Sequence, residues 1–486
     1  EKMCFDITQK ALIVSNNSVF NYCGDIQSDK CTKISNGSSC DFHRIVELQS
    51  GNKSKDSDNI GRFGIGFIST YQITDRPTIK SSGLSLTLIP EKASFTADQS
   101  NTKETIFELP WAKDEKSNLR LALEQGGIDN NKIDRIYTDL EKALNQSLLF
   151  LKNIKSIELK RDGVSKLIVK KRSKTHQKNE LITITSHPEK IKEKWIILKS
   201  ELEKQTLNEI YEEWPILRSA QRKTKIQIAI KIDKKPIEKG LLFAYLPTQQ
   251  RSHLPLHIQA DFFPDLSRKY IAFSGASKED RWNNALMKRA SELISEKLDT
   301  LNSHIDHKQL FSIVVASFKA QEEESPYHFF WSDILEKSNN SRLIFSSRGD
   351  YESANDIVID EGLTARRHVK KSSIDALYEA GGRLVSKDLL TFSNDSIDTL
   401  KALGVDELNT SKFCEILDNC NDFSDSKLDT EAKPSRLQDT YKPLWEYASN
   451  LIERFGFDDS IKSLNFVLTT SLTIQSINGI YRSPKF

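Results

Sequence analysis

Three glycines within six residues, Gly61, Gly64 and Gly66 of DNIGRFGIGFIST, stand directly before an apolar run. Glycine lets the main chain take positive φ and lets a ligand approach the backbone closely. At the start of a helix such residues leave free N–H groups at the positive end, an arrangement that binds phosphate. The pattern is not a Walker loop, because no Lys-Ser or Lys-Thr follows the last glycine. Nor is it a dinucleotide fingerprint, since polar loop rather than a strand precedes it. Taken alone, the segment also fits a turn that closes a hairpin or packs a helix on a sheet.

Two further groups carry chemistry. Cys23, Cys31, Cys40 and His43 are zinc-ligating types, but their spacings match no usual ligand pattern. They are read as free thiols in a loop, and no metal is assigned to this chain. The six cysteines, with Cys4, Cys414 and Cys420, form no CxxC pair and fit a reducing, cytoplasmic setting. The basic run KKRSKTHQK offers Lys170, Lys171 and Arg172 either to nucleic acid or, as a solvated hairpin tip, to water.

The elements that must position these residues follow from pattern. ITQKALIVS at 7–15 reads as a strand ending at the turn pair Asn16-Asn17, and residues 21–58 as a long polar loop broken by a short helical patch, FHRIVEL. After the glycines a helix is expected, with Ile65, Phe67, Ile68 and Tyr71 on its buried face. Strands follow at 77–81, 84–89 and 104–109, then a helix near 131–151 and a meander with an Asp162-Gly163 hairpin turn. A second mixed unit fills about 191–300 and ends in a helix from Asp280 to Leu301. Past 305 the pattern is mostly helical, with a polar, linker-like stretch at 420–436.

A chain of 486 residues suggests about three domains. The 70 basic and 68 acidic residues leave a formal net charge of +2, so no global field draws the protein to nucleic acid or membrane. The longest apolar runs fall far short of the roughly 20 residues that span a bilayer. No repeat of fixed period is present, which excludes a solenoid.

The block ALIVSNNSVF, then SGNKSK, then NIGRFGIGFISTYQITDRPTI resembles the GHKL class of ATPases, the group of DNA gyrase B, the ninety-kilodalton heat-shock chaperone, histidine kinases and mismatch-repair ATPases. Within that class it is most similar to the branch seen in sacsin, whose segments have the form NNAVF followed by GRFGxGFxSVYxITDxP. Downstream, GLLFAYLPTQQRSHLPLHIQADFFPDLSRKYIAF and RWNNALMKRASELI resemble a strand-loop and helix of the same branch. The resemblance implies an α+β protein: a GHKL (Bergerat) α/β sandwich ATP-binding domain over 1–190 with its lid at 21–60, a mixed α/β middle domain over 191–303, and a mainly helical region over 304–486.

It also implies a site. Asn16 takes the place of the acidic residue that reads the adenine amino group, with Ser18 and Phe20 where that motif has glycines. Lys53 matches a lysine at the lid edge. Gly61, Gly64, Ile65, Gly66 and Phe67 would present main-chain N–H groups to the phosphates. Thr105 corresponds to a threonine beneath adenine, with Glu104 replacing the glycine before it. Arg268, with Lys269 as its rival, falls where a second domain offers a cation to the γ-phosphate on closure. The implied cofactors are ATP and Mg²⁺.

The family's ExxxN helix supplies the general-base glutamate and the asparagine that holds Mg²⁺. Only 15 residues precede Asn16, too few for that helix, and the first residue is not Met, so the helix is expected upstream of Glu1. The function implied is an ATP-binding, slowly hydrolysing, chaperone-like conformational machine; a GHKL-fold scaffold that does not hydrolyse is the alternative. The partners implied are a protein client and a second copy as a homodimer, with nucleic acid a third candidate and no membrane. Proteins of this branch in bacteria are also associated with defence against phage.

Overall fold

The computed structural model of the chain describes residues 1–28, 31–32, 39–46, 65–176, 179–219, 222–232, 236–265, 267–322, 327–363, 370–420, 437–469 and 474–479. The chain is a mixed α/β protein and parts into two compact units. Unit 1 runs from Glu1 to Ala290 apart from two short segments, and unit 2 comprises Ser291–Phe486 with those segments, Asp233–Pro236 and His253–Pro255.

Unit 1 is organised by one sheet. Its strands are β1 (Lys2–Ile7), β2 (Ala11–Asn16), β3 (Thr78–Ser81), β4 (Leu84–Ile89), β5 (Ser94–Gln99), β6 (Thr105–Pro110), β7 (Ser156–Arg161), β8 (Val164–His176), β9 (Asn179–His187), β10 (Lys192–Glu201), β11 (Lys225–Lys231), β12 (Leu241–Ala244), β13 (Leu246–Arg251) and β14 (His257–Gln259). Across the sheet they lie in the order β13-β12-β14-β11-β10-β9-β8-β7-β1-β2-β6-β3-β4-β5. Pairing is antiparallel except between β1 and β7 and between β12 and β14. The ladder is unbroken from β9 to β10, where Thr185 pairs with Lys192 and Glu180 with Ile197.

The helices of unit 1 are α1 (Asp41–Val46), α2 (Ile65–Ile68), α3 (Asn118–Ala122), α4 (Asn130–Ser147), α5 (Lys204–Glu213), α6 (Ile216–Ser219) and α7 (Lys278–Leu301), the last of which continues into unit 2. Strand alternation decides what each covers. Leu12, Val14 and Asn16 of β2 stand opposite Leu109, Phe107 and Thr105 of β6, so all six share one face. Around Leu12 and Leu109 that face packs with Ile133, Leu144 and Leu148 from α4 and its C-terminal end. Farther along, Ile79 of β3 and Leu84, Leu86 and Leu88 of β4 are covered by Ile26, Cys31, Cys40 and Phe42.

Three local expectations change. The run 7–15 is two strands, because Thr8 Oγ1 accepts from the backbone N–H of Lys10 (3.2 Å) and Ala11 (3.0 Å) and turns the chain. β5 is an additional strand at the open edge of the sheet. The helix after the glycines is short, α2 followed by a 3₁₀ turn at Ser69–Gln72, so Tyr71 is buried while Ile68 faces solvent.

Unit 2 is mainly helical, with α8 (His307–Glu322), α9 (His328–Asn339), α10 (Lys371–Glu379), α11 (Lys387–Leu390), α12 (Ser396–Ala402), α13 (Thr410–Asp418) and α14 (Lys442–Phe455), plus three two-stranded ladders. Leu377, Phe413, Leu417, Leu444 and Leu451 from α10, α13 and α14 meet in its core. The buried Asp360 accepts from Tyr447 Oη (2.5 Å) and pairs with Arg454 (2.7 Å). Most of the expected linker, 421–436, lies outside the described residues. Among the described residues no helix is long and apolar enough to cross a membrane.

Candidate functional site

Asn16 and Thr105 end adjacent strands in register, so their side chains lie side by side on one face of the sheet. Asn16 Oδ1 accepts from the backbone N–H of Ser18 (3.0 Å), a turn that bends the chain out of β2. An amide oxygen has two lone pairs and the amide nitrogen two protons, so Asn16 retains an acceptor and donors for a second partner. Thr105 is buried, donates to the Ser18 carbonyl (2.8 Å), and lies 2.8 Å from Ser81 Oγ. Ser81 Oγ in turn accepts from the Phe20 N–H (2.9 Å). The start of the loop after β2 is thereby fastened to β3 and β6.

Phe67, from α2, reaches the same face. Its ring lies 6.4 Å from that of Phe107, two residues along β6 from Thr105. Phe20 stands edge-on to both Phe107 (5.9 Å) and Phe42 (5.3 Å). Phe20, where the resembled motif carries a glycine, is therefore an aromatic anchor of the loop against the sheet. Ile65 and Gly66 form the first turn of α2. Lys53, Gly61 and Gly64 lie outside the described residues.

Two residues that sequence reasoning passed over hold α2 in place. Arg120, fully buried on α3, donates from Nε to Asp75 Oδ1 (2.6 Å), from Nη1 to the Gln72 carbonyl (3.1 Å), and from Nη2 to the carbonyls of Tyr71 and Thr74. Ser117 Oγ donates to the other Asp75 oxygen (2.8 Å). One guanidinium thus satisfies the carbonyls left open where the α2 segment ends. Asp75 belongs to the ITD triplet of the resembled motif, whereas nothing near Arg120 in sequence marks it as its partner.

Arg268 is not brought to this face. It lies at the exposed tip of a tight loop between the bridge partners Pro264 and Ile271, with the left-handed φ of 57° that is uncommon outside glycine. Asp265 builds the loop: its Oδ1 accepts from the N–H of Lys269 (3.0 Å) and Tyr270 (3.3 Å), and the Arg268 N–H donates to its carbonyl (2.9 Å). The Ser267 hydroxyl, followed by these amides, holds the Asp265 carboxyl below the usual range. The Lys269 carbonyl accepts from Gln249 N–H of β13 (2.8 Å). β13 stands first and β2 tenth in the sheet, which separates the two sites by about nine strand spacings, on the order of 40 Å along the sheet.

The loop's base is closed from α7. Asn283, fully buried on α7, donates from Nδ2 to the carbonyls of Phe263 (2.9 Å) and Ala272 (3.1 Å) and accepts from the Phe263 N–H (2.8 Å). Its neighbour Trp282 donates from the indole to the Asp261 carbonyl (2.9 Å). The WN pair of RWNNAL is therefore what joins α7 to the ADFF segment.

Other polar features of unit 1 involve none of the residues assigned to nucleotide. A cleft of about 430 Å³ is lined by Ile184, Glu193, Trp195, Lys239 and His257 among others, and none of the residues assigned to nucleotide lines it. Burial pushes the His257 imidazole down to about 4. On the basic hairpin, Lys171 donates to the Leu151 carbonyl and burial lowers its pKa, while Lys170 and Arg172 stay exposed. Cys23, Cys31, Cys40 and His43, spread over 21 residues, come together in space, all four ligand atoms within 4.8 Å of one another.

The Sacsin domain family model matches residues 2–103 of this chain. Human sacsin (Homo sapiens) is similar at 26% identity over an alignment of 163 residues, covering 26% of this chain and 4% of that protein. The aligned region is a small part of the human protein's length. The stretch matched by the family model carries Asn16, the glycine segment and the cysteine–histidine group, and it is over β1 to β5 that this chain is similar to the Sacsin domain.

Proposed function

We propose that this chain is an ATP-binding, chaperone-like conformational machine in which closure of the Lys53 end of the 21–60 segment over bound nucleotide is the working stroke. The observation that carries this reading is the convergence of Asn16, Thr105 and Phe67 on one sheet face, at the point where the glycine segment enters α2. Asn16 offers the complementary acceptor and donor for an adenine amino group and ring nitrogen. The main-chain N–H groups that begin at the glycines and run into Ile65, Gly66 and Phe67 would take the phosphates, with Mg²⁺ neutralising their remaining charge. Lys53 would add a cation as the lid closes, and Arg268 would reach the site from a second copy of the chain, so turnover would be limited by closure. A cytoplasmic setting, a protein client, a homodimer and a defence role belong to the same proposal.

The non-hydrolysing scaffold has its own support: the Thr105 hydroxyl is engaged by Ser18 and Ser81, and Asn16 shares its oxygen with Ser18. Calorimetric titration of ATP–Mg²⁺ into the full-length protein, with phosphate release followed in parallel and Gly66→Trp as the control, decides between them. Binding and release, both lost in G66W, support the machine. Binding without release supports the scaffold, and absence of binding in the unaltered protein refutes the nucleotide reading.

A further inference from the structure

We propose that Cys23, Cys31, Cys40 and His43 form a structural zinc site that fastens the 20–46 segment to the face of β3 and β4. The residue types are three thiols and one imidazole, a set that suits a tetrahedral, closed zinc centre. Cys40 Sγ lies 3.2 Å and Cys23 Sγ 3.5 Å from His43 Nδ1, and no pair among the four ligand atoms exceeds 4.8 Å. Tetrahedral zinc with bonds of about 2.3 Å to sulfur and 2.0–2.1 Å to nitrogen sets ligand atoms roughly 3.5–3.8 Å apart, so the Cys40–His43 contact opens by a few tenths of an ångström and the widest pair closes by up to about 1 Å.

The imidazole is already oriented for this role. His43 Nε2 lies 3.0 Å from the Ser28 carbonyl oxygen. A carbonyl only accepts, so Nε2 carries the proton and Nδ1 presents its lone pair to the thiols. An outer-shell carbonyl of this kind is how zinc-bound histidines are held in the ligating tautomer. Cys31, Cys40 and His43 are buried and Cys23 is half-buried, which leaves no open position for a substrate. The role is therefore structural.

The fold explains how unusual spacings can make a site. Cys40 and His43 stand three residues apart at the start of α1 and share one side of its first turn. Asn21 and Asp41 clamp the chain, Asn21 N–H donating to Asp41 Oδ2 (2.7 Å) and Asp41 N–H to the Asn21 carbonyl (3.0 Å), which delivers Cys23 beside Cys40. Cys31 Sγ accepts from the Cys40 N–H (3.2 Å). Binding releases three thiol protons to solvent and leaves Zn²⁺ with three thiolates and a neutral imidazole, a centre of net charge −1. The inference stands whether or not the chain binds nucleotide.

The test uses the full chain purified under reducing conditions. Elemental analysis should find close to one zinc per chain, and cobalt exchanged for it should give the visible bands of a tetrahedral site with a near-ultraviolet thiolate charge-transfer band. Cys40→Ser and His43→Ala should each weaken zinc binding more than about 100-fold, above the effect usual for an outer-shell partner, while Cys420→Ser leaves it unchanged. In the unaltered protein, alkylation of Cys23, Cys31 and Cys40 should be slow until a chelator is added. Zinc and cobalt that fail to bind the reduced, unaltered protein stoichiometrically, an octahedral cobalt spectrum, or a disulfide among the three cysteines in the metal-free isolated chain would each overturn the proposal. The cobalt spectrum and zinc content need no variant, so a ligand substitution that fails to fold does not remove the test.

Discussion

Replacing Arg120 with methionine tests whether α2 is held from its C-terminal side. The substitution keeps an unbranched chain of similar reach and removes the guanidinium, leaving Asp75 and the carbonyls of Tyr71 and Gln72 without their shared donor. Breaking a buried pair by removing one partner costs about 3–5 kcal/mol. The Asp75 side chain is 21% exposed and keeps Ser117, so water takes up part of the loss and the lower end, about 3 kcal/mol, is expected. At roughly 2–4 °C per kcal/mol for a unit of this size, the melting temperature of unit 1 should fall by about 6–12 °C. Urea unfolding of Arg120→Met, Asp75→Asn and the double variant should give a coupling of about 2 kcal/mol. Hydrogen exchange at Tyr71–Thr74 should accelerate beyond that elsewhere in the sheet. A loss under about 1 kcal/mol, or single effects that simply add, would show that Arg120 does not anchor the segment.

Asn283→Ala should cost about 2–3 kcal/mol, because the Phe263 and Ala272 carbonyls and the Phe263 N–H lose a buried partner, and it should raise proteolysis at 264–271; unaltered cleavage there would refute its role in closing the loop. His257 has a folded-state pKa of about 4 against 6.5 for the free group, so the unfolded chain takes up the extra proton as pH falls below 6.5 and the fold does not until about 4. Stability should accordingly drop by about 3 kcal/mol between pH 7 and pH 4 and level off below; His257→Gln should remove that share, and an unchanged pH slope in denaturant midpoints would count against the assignment. Lys171→Met should lower stability by about 1 kcal/mol while Lys170→Met leaves it unchanged, and equal effects of the two in thermal melts would mean that the Leu151 carbonyl is not what Lys171 serves.

What the residue pattern disclosed, and what it withheld, follows from how local each signal is. The Asp162-Gly163 turn was legible because a type I′ hairpin turn needs positive φ at both positions, and both adopt it, at 48° and 78°. The break at Thr8–Lys10 was not, since a threonine hydroxyl replaces the usual Gly, Pro or Asn signal there. β5 escaped notice because SFTADQ is an edge strand with little buried on either face. The partnership of Asn16 with Thr105 could be inferred only through a resemblance, because strands 89 residues apart declare their register to each other in the fold alone. Arg120 had no signal, since an arginine in a short helix looks like a surface residue until a buried carbonyl is found beside it; Asn283 was marked only by the resemblance of RWNNALMKRASELI, which did not disclose what it bonds. The zinc-type quartet illustrates the same limit, because ligand-spacing rules describe knuckles and hairpins, not a loop pinned by Asn21 and Asp41.

The unbroken ladder through β9 and β10 bears on how such a protein can move. Register pairing runs from Glu180 with Ile197 to Thr185 with Lys192, and β10 continues into β11 over seven register pairs. A unit whose strands from Lys2 to Gln259 all share one sheet behaves as a leaf spring rather than a pair of jaws. Its far edge shifts only as the whole plate twists, and folding it back would mean tearing ladder bonds in the middle. A cation carried on the β13 side therefore reaches a ligand beside β2 of its own chain at great elastic expense, whereas a second copy laid face to face can deliver the same charge with both sheets intact.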